Sequence, residues 1–178
     1  MAINMYGNKY VDVIYMPDVP RRYVPKNLTR RDKRIAKKEL QKSRKLYKEK
    51  KYYTRKKVKS FHSKPSNHIL TAKKVYGLPE IVPSALLAKK TGCSLGALKK
   101  IAQKGEGAYF SSGSRPNQTA QSWGYARLAS SITGGKASAV DYSILEEGCS
   151  QKSKALQLAK KSIYYKTHGR HSVPTVKL

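Results

Sequence analysis

Read for apolar and polar positions alone, the chain changes character three times. Tyr10 to Met16 (YVDVIYM) is a short run rich in β-branched and aromatic residues, closed by Pro17 and Pro20. Its length predicts a strand, which needs a sheet edge to pair with. Beyond Thr29 apolar positions thin out: Ala36, Leu40, Ser43 and Tyr47 recur at i, i+4, i+7 and i+11, with Ile35 beside them and Lys or Arg on most other positions. That spacing predicts a helix with one narrow seam, capped by Thr29, with the Asp32 carboxylate near the orphan amides of the first turn. So thin a seam buries little, so the rod is expected to lie across another surface. Residues YYTRKKVKSFHSKPSNHI then lose the helical period, and Val58 and Phe61 among basic residues predict an extended stretch along a partner.

From Val75 onward apolar residues become frequent and helices are legible. Ser84 opens SALLAKKTG, and Ser94 opens SLGALKKIAQKG with Gly105 as its expected C-cap. GAYFSSGSRPNQT reads as a short strand into a loop. TAQSWGYARLASSIT predicts a helix entered at Thr119 and stopped at Gly134-Gly135, and ASAVDYSIL fits either a strand or a turn of helix. Ser150 is the expected start of a last helix with Ala155, Leu156, Leu158, Ala159 and Ile163 on its apolar face; His168 to Leu178 reads as an uncapped tail. No internal repeat is visible.

Charge alters this picture more than composition does. The 178 residues carry 38 Lys and Arg against 10 Asp and Glu, a formal net charge of +28. Half of the cations, 19, lie in residues 21–60 with only Asp32, Glu39 and Glu49 to oppose them. Such a surface repels itself and clings to nucleic acid, anionic lipid or acidic protein, so the expected job is to hold an acidic partner. Residues 1–60 are expected to be disordered alone and to order on binding. No basic leader followed by an apolar stretch is present, and no run reaches the length of a spanning helix, so folding in a cytosol-like compartment is expected. Cys93 and Cys149 sit in unrelated contexts, and reduced thiols are the default expectation.

The sharpest local pattern is ALLAKKTGCSLGALKKIAQKG. Ala88, Gly92, Leu95, Leu98 and Ile101 match the spacing of a helix-turn-helix, in which a small residue lets the helices approach and the glycine takes the turn. Lys99, Lys100 and Lys104 would then lie on the second helix. That helix lacks the Arg, Asn or Gln at its start that usually reads base edges, so a purely structural hairpin and a DNA reader both stand.

Candidates for catalysis are few. Gly134-Gly135-Lys136 superficially resembles a phosphate loop, but the pattern needs glycine where Ser130 stands. His62, His68, His168 and His171 have no carboxylate or cysteine at metal-ligand spacing, and Glu146-Glu147 are adjacent and point apart. Neither an enzyme nor a cofactor is expected. Tyrosine is over-used, 13 against two Phe and one Trp; interleaved with Lys and Arg at Tyr47, Tyr52, Tyr53, Tyr164 and Tyr165, it suits wet interfaces or base stacking.

The segments YVPKNLTRRDKR, KSRKLYKEKKYYTRKKVKSF and above all GEGAYFSSGSRPNQTAQSWGYARLASSITGGKASAVDYSILEEGC carry a family resemblance. Over roughly residues 22–150 the chain resembles small basic proteins of nucleocytoplasmic large DNA viruses, chloroviruses among them, grouped under a domain of unknown function. The SGSRPNQT and ITGGKASAVD blocks are the specific part. The resemblance implies a viral origin and a place in the particle: a minor capsid protein, or a packaged DNA-associated protein. It brings no catalytic residues.

The expected protein is therefore mainly α with a few short strands (α+β): an N-terminal strand arm (1–20), a basic helix and extended segment (21–74), and a small helical domain with a C-terminal tail (75–178). The expected function is that of a virion minor capsid protein on the inner face of a large icosahedral double-stranded DNA virus capsid, cementing capsomers through basic arms. The alternative is a helix-turn-helix-like DNA-binding or genome-packaging protein. The expected partners are major and minor capsid proteins, with viral DNA or the inner membrane surface as acidic companions and no small-molecule substrate. Synthesis in the host cytoplasm goes with this. The polyanion-binding residues are expected to be Arg30, Arg31, Arg34, Lys37, Lys38, Arg44, Lys45, Arg55, Lys56, Lys57, Lys99, Lys100 and Lys104.

Overall fold

A computed structural model describes residues 18–164 and 174–178; the expected strand over 10–16 lies outside them, as do His168 and His171. The order is β1 (Val19–Pro20), a 3-10 turn (Arg21–Tyr23), α1 (Arg30–Lys48), α2 (Asn67–Tyr76), α3 (Ala85–Thr91), α4 (Leu95–Ser111), α5 (Ala120–Ile132), α6 (Lys136–Val140), α7 (Tyr142–Gly148), α8 (Lys154–Tyr164) and β2 (Thr175–Val176). The two strands pair antiparallel, Val19 opposite Val176. Among the described residues the fold is thus mainly α with two short strands, as the pattern predicts.

Hydroxyl caps set the helix starts. The side chains of Thr29, Ser84 and Ser94 accept from the backbone amides of Asp32, Leu87 and Ala97. At α5, Thr119 and Ser122 form a reciprocal capping box. Gly92 takes the αL conformation (φ 72°) that ends α3 and turns the chain into α4, so the helical hairpin forms as its spacing predicts.

The expected break at Gly105 does not occur. α4 continues six residues further, through GAYFS, because Leu98, Ile101, Ala102, Gly105 and Tyr109 share one buried face. Gly105 faces Gly124 of α5. A Cβ on Gly105 would lie 2.7 Å from the Gly124 Cα, and one on Gly124 would lie 2.6 Å from the Ala102 carbonyl oxygen. The two glycines buy close approach of α4 and α5 at a helix-propensity cost of about 1 kcal/mol each. The short strand expected at GAYFS is therefore part of α4. The segment left between strand and helix is helical too, as α6 and α7.

α4 and α5 centre the larger core, with Leu87, Leu98, Ile101, Leu128, Ile132, Leu145 and Leu156 fully buried. Ala72 and Tyr76 of α2 close one side, and the buried Tyr76 hydroxyl donates to the Ile132 carbonyl. The last helix begins at Lys154, later than expected, with Ser153 accepting from the Leu156 amide. Ala155, Leu156 and Ala159 are buried, Leu158 is half-buried and Ile163 is exposed. Ser150 is instead drawn into a bridge: its amide donates to Gly92, and the Ser94 amide donates to Gly148. That bridge sets Cys93 beside Cys149, and the two form a disulfide across 56 residues of sequence. The expectation of two unrelated thiols is corrected; nothing in the linear spacing marks the meeting of the α3–α4 turn with the α7–α8 connection.

A second, smaller core gathers Val19, Tyr23, Val24, Leu28, Ala36, Leu40 and Val58, with Trp123, Val176 and Leu178 against it. Here one expectation is sharpened: the surface under α1 is the chain's own, and residues 18–60 pack against it. The end of the tail is pinned as well. The Arg21 amide donates to Pro174 (2.7 Å), Thr175 Oγ1 donates to Asp18 (3.0 Å), and Lys37 Nζ donates to the Lys177 carbonyl.

Candidate polyanion interface

The geometry of the basic segment follows from where its acids go. Both carboxylates of α1, Asp32 and Glu39, are buried on the inward face. Ser60 donates to Asp32 Oδ2 through its amide (2.7 Å) and its hydroxyl (2.6 Å). Those bonds, with the charge of Arg31, hold the Asp32 carboxyl below its ordinary value. Asp32 therefore serves the returning chain, while Thr29 alone caps the helix. Glu39 accepts from Tyr53 Oη (2.9 Å) and the Lys56 amide (2.8 Å). Burial first, and then the Glu39 carboxylate, push the Tyr53 hydroxyl up.

These bonds lay residues 53–60 as an extended strap back along α1, from Glu39 to Asp32. The strap's other edge is gripped by Asn117 of the SGSRPNQT block. Asn117 Oδ1 accepts from the Val58 amide (2.8 Å), and its Nδ2 donates to the carbonyls of Val58 (2.9 Å) and Phe61 (2.7 Å). Asn117 itself is left-handed (φ 59°), a conformation asparagine tolerates better than most residues. Gly113 (φ 103°) brings that loop against α1, since a Cβ there would lie 2.7 Å from Leu40 Cδ2.

With its acids turned inward, the outward face of α1 is almost entirely cationic. Arg30, Arg34, Lys38, Lys45 and Lys48 are exposed along it at helical spacing, with Arg31 on one flank and half-buried Lys37 on the other. Lys56, Lys57 and Lys59 of the strap are exposed as well. The third acid of residues 21–60, Glu49, pairs with Lys51 (3.2 Å) beyond the helix end.

Three of the expected polyanion ligands are engaged within the fold. Arg44 is half-buried and donates through Nη2 to the Ser112 carbonyl (3.0 Å); burial lowers its pKa. Arg55 lies over the Tyr109 ring, 4.1 Å from its centroid, and bonds Ser114 Oγ. Lys104 Nζ pairs with Asp141 Oδ1 (3.1 Å), while Lys99 and Lys100 are exposed on α4.

Asp141, in the ITGGKASAVD block, is the most enclosed charge. Arg127 grips it with two bonds (Nε 2.9 Å, Nη2 2.7 Å) and Ser131 Oγ donates at 2.7 Å. Burial raises its pKa, but these bonds and the Arg127 charge outweigh burial and hold it low. Both blocks singled out in the sequence therefore brace the fold. Asn117 holds backbone 59 residues away, and Asp141 pairs with side chains on two other helices, Arg127 of α5 and Lys104 of α4, so neither role shows in the linear pattern.

Among the described residues no group of three His, Cys, Asp or Glu side chains could hold a metal, and no helix is long and apolar enough to cross a membrane. The cavity between α1, the strap and the SGSRPNQT block is only about 20 Å³. It accommodates at most a water molecule.

Helices around two cores and a segregated cationic face define a small, basic helical protein. The chain belongs to a family of unknown function (DUF5824), whose model matches residues 20–147. The match takes in α1, the strap and both blocks, and stops before Cys149 and α8. No curated protein and no solved structure matches the chain.

Proposed function

We propose that the protein is a structural component of a virus particle, a minor capsid protein on the inner face of a large icosahedral double-stranded DNA virus shell. It cements neighbouring capsomers and touches the acidic genome or inner membrane surface through its basic helix. The observation that carries this reading is the segregation of charge on α1: Asp32 and Glu39 turn inward, and the outward face keeps its cations. A stiff helix of 19 residues with a charged outward face suits an extended acidic surface rather than a small molecule. The viral assignment is supported by the resemblance carried by the SGSRPNQT and ITGGKASAVD blocks. Purified, nuclease-treated particles test it by quantitative mass spectrometry and reconstruction of the shell. The expected result is a fixed copy number with density under the capsomers; absence of the protein from particles overturns the proposal.

A second reading, a DNA-binding or genome-packaging protein, is favoured by one observation. The α3–Gly92–α4 hairpin leaves Lys99 and Lys100 exposed on its second helix. Replacing both with alanine is expected to lower duplex DNA affinity selectively if the hairpin is the contact. An unchanged affinity removes this reading.

A further inference from the structure

At the C-terminal end of α1 an aromatic cluster stands on the surface among lysines. Tyr47 of α1 stacks on Phe110 of α4 with centroids 6.3 Å apart and planes 8° from parallel. Tyr52 meets Phe110 edge-on at 5.1 Å and Tyr47 at 6.2 Å, and Tyr109 supports Phe110 from beneath at 5.0 Å. Tyr109 is fully buried, whereas Tyr52 is 75% exposed. The cluster is thus anchored in the fold on one side and open on the other.

The backbone goes to some cost to put it there. Lys50 is left-handed (φ 59°), where a glycine would be the unstrained choice. The turn is closed by the Lys50 amide on Tyr47 (2.9 Å) and the Lys51 amide on Leu46 (2.9 Å). It reverses the chain so that Tyr52 returns over Phe110 instead of continuing away from it. Lys45, Lys48, Lys50 and Lys51 are exposed nearby, against Glu49 as the single acid of that stretch.

An aromatic ring braced by its neighbours, with an open face and exposed lysines close by in sequence, has the two features that unpaired nucleotides require. These are a surface on which a base stacks and charges that meet the flanking phosphates. Duplex DNA keeps its base faces occupied and would use only the charges. An acidic protein would meet the charges with carboxylates, and would need an aromatic or arginine side chain placed at this one spot to cover the ring. We propose that Tyr52, backed by Phe110 and Tyr47, is a stacking site for a base of single-stranded nucleic acid, with the neighbouring lysines on its phosphates. The inference concerns this site alone and holds wherever in the particle or cell the protein acts.

The test titrates the full chain against labelled oligothymidylate and against an abasic oligonucleotide of equal length, reading anisotropy at several salt concentrations. Wild-type protein is expected to prefer the base-bearing strand by about tenfold. Tyr52→Ala is expected to abolish that preference, leaving abasic binding and its salt slope unchanged, while Tyr52→Phe keeps the preference. Equal binding of the two strands by the wild type overturns the proposal, pointing to charge alone or to a protein occupant. So does a preference that survives Tyr52→Ala, or an equal loss on both strands. Tyr52 is exposed, so its truncation leaves both cores filled, and circular dichroism of the variant checks this.

Discussion

The two cores solve the same problem, holding helices together, by different means. The larger one, around α4 and α5, is built from apolar side chains that interdigitate, with the glycine pair Gly105 and Gly124 letting two helices nearly touch. The smaller one, under α1, has few apolar residues and relies on single polar side chains that clamp backbone: Asp32 on Ser60, Glu39 on Lys56, and Asn117 on Val58 and Phe61. A segment with so many cations has no room for an apolar face of normal width. Charge-assisted and bidentate bonds take over, because each fixes a strand of backbone without enlarging the apolar seam. The lesson is that the acids of a basic segment are its fastenings, and the cations left outside are what it offers to partners.

The comparison breaks most sharply at Asp141. Asp141→Ala leaves Arg127 without its partner in the larger unit, and a loss of about 3–5 kcal/mol is expected. Urea unfolding should show it as one global shift. Loss of the disulfide comes next. Cys149→Ser opens a 56-residue loop and is expected to cost about 2–4 kcal/mol, again globally, while leaving the strap docked at low denaturant.

The smaller unit should respond locally instead. Asn117→Gly keeps the left-handed backbone but removes all three strap bonds, for an expected cost of about 1–3 kcal/mol. Hydrogen exchange should speed at residues 53–61 and stay slow in α4 and α5; equal acceleration of both would mean that the two cores form one cooperative unit.

The smallest effect is the response to acid. Asp32 and Asp141 both have folded-state pKa values below the unfolded value. Their contribution is therefore complete above the unfolded pKa and is lost as pH falls through the folded values. Stability should be level near neutrality and decline below about pH 4. In Asp32→Asn the acid-dependent part of strap protection should disappear, while the global decline through Asp141 persists.

Much of this was legible along the chain. The seam Ala36–Leu40–Ser43–Tyr47, the caps Thr29, Ser84, Ser94 and Thr119, and the Gly92 turn are local features, and local sterics and hydrogen bonding decide them. Where the reading went astray, a distant partner had the last word. Gly105 looks like a helix stop until Gly124 packs on it, and Ser150 looks like a cap until Gly92 takes its amide. The candidate site was legible as composition but not as arrangement. Arg44, Arg55 and Lys104 look like any other cations in sequence, yet they are engaged by Ser112, Tyr109 with Ser114, and Asp141.

By itself the sequence determined that this is a basic, mainly helical protein with its charge concentrated in one segment, because composition and period act residue by residue. Only the tertiary structure decided which cations face outward, that the segment folds on its own chain, and that Cys93 meets Cys149. Those outcomes depend on contacts between residues tens of positions apart, and no local pattern encodes them.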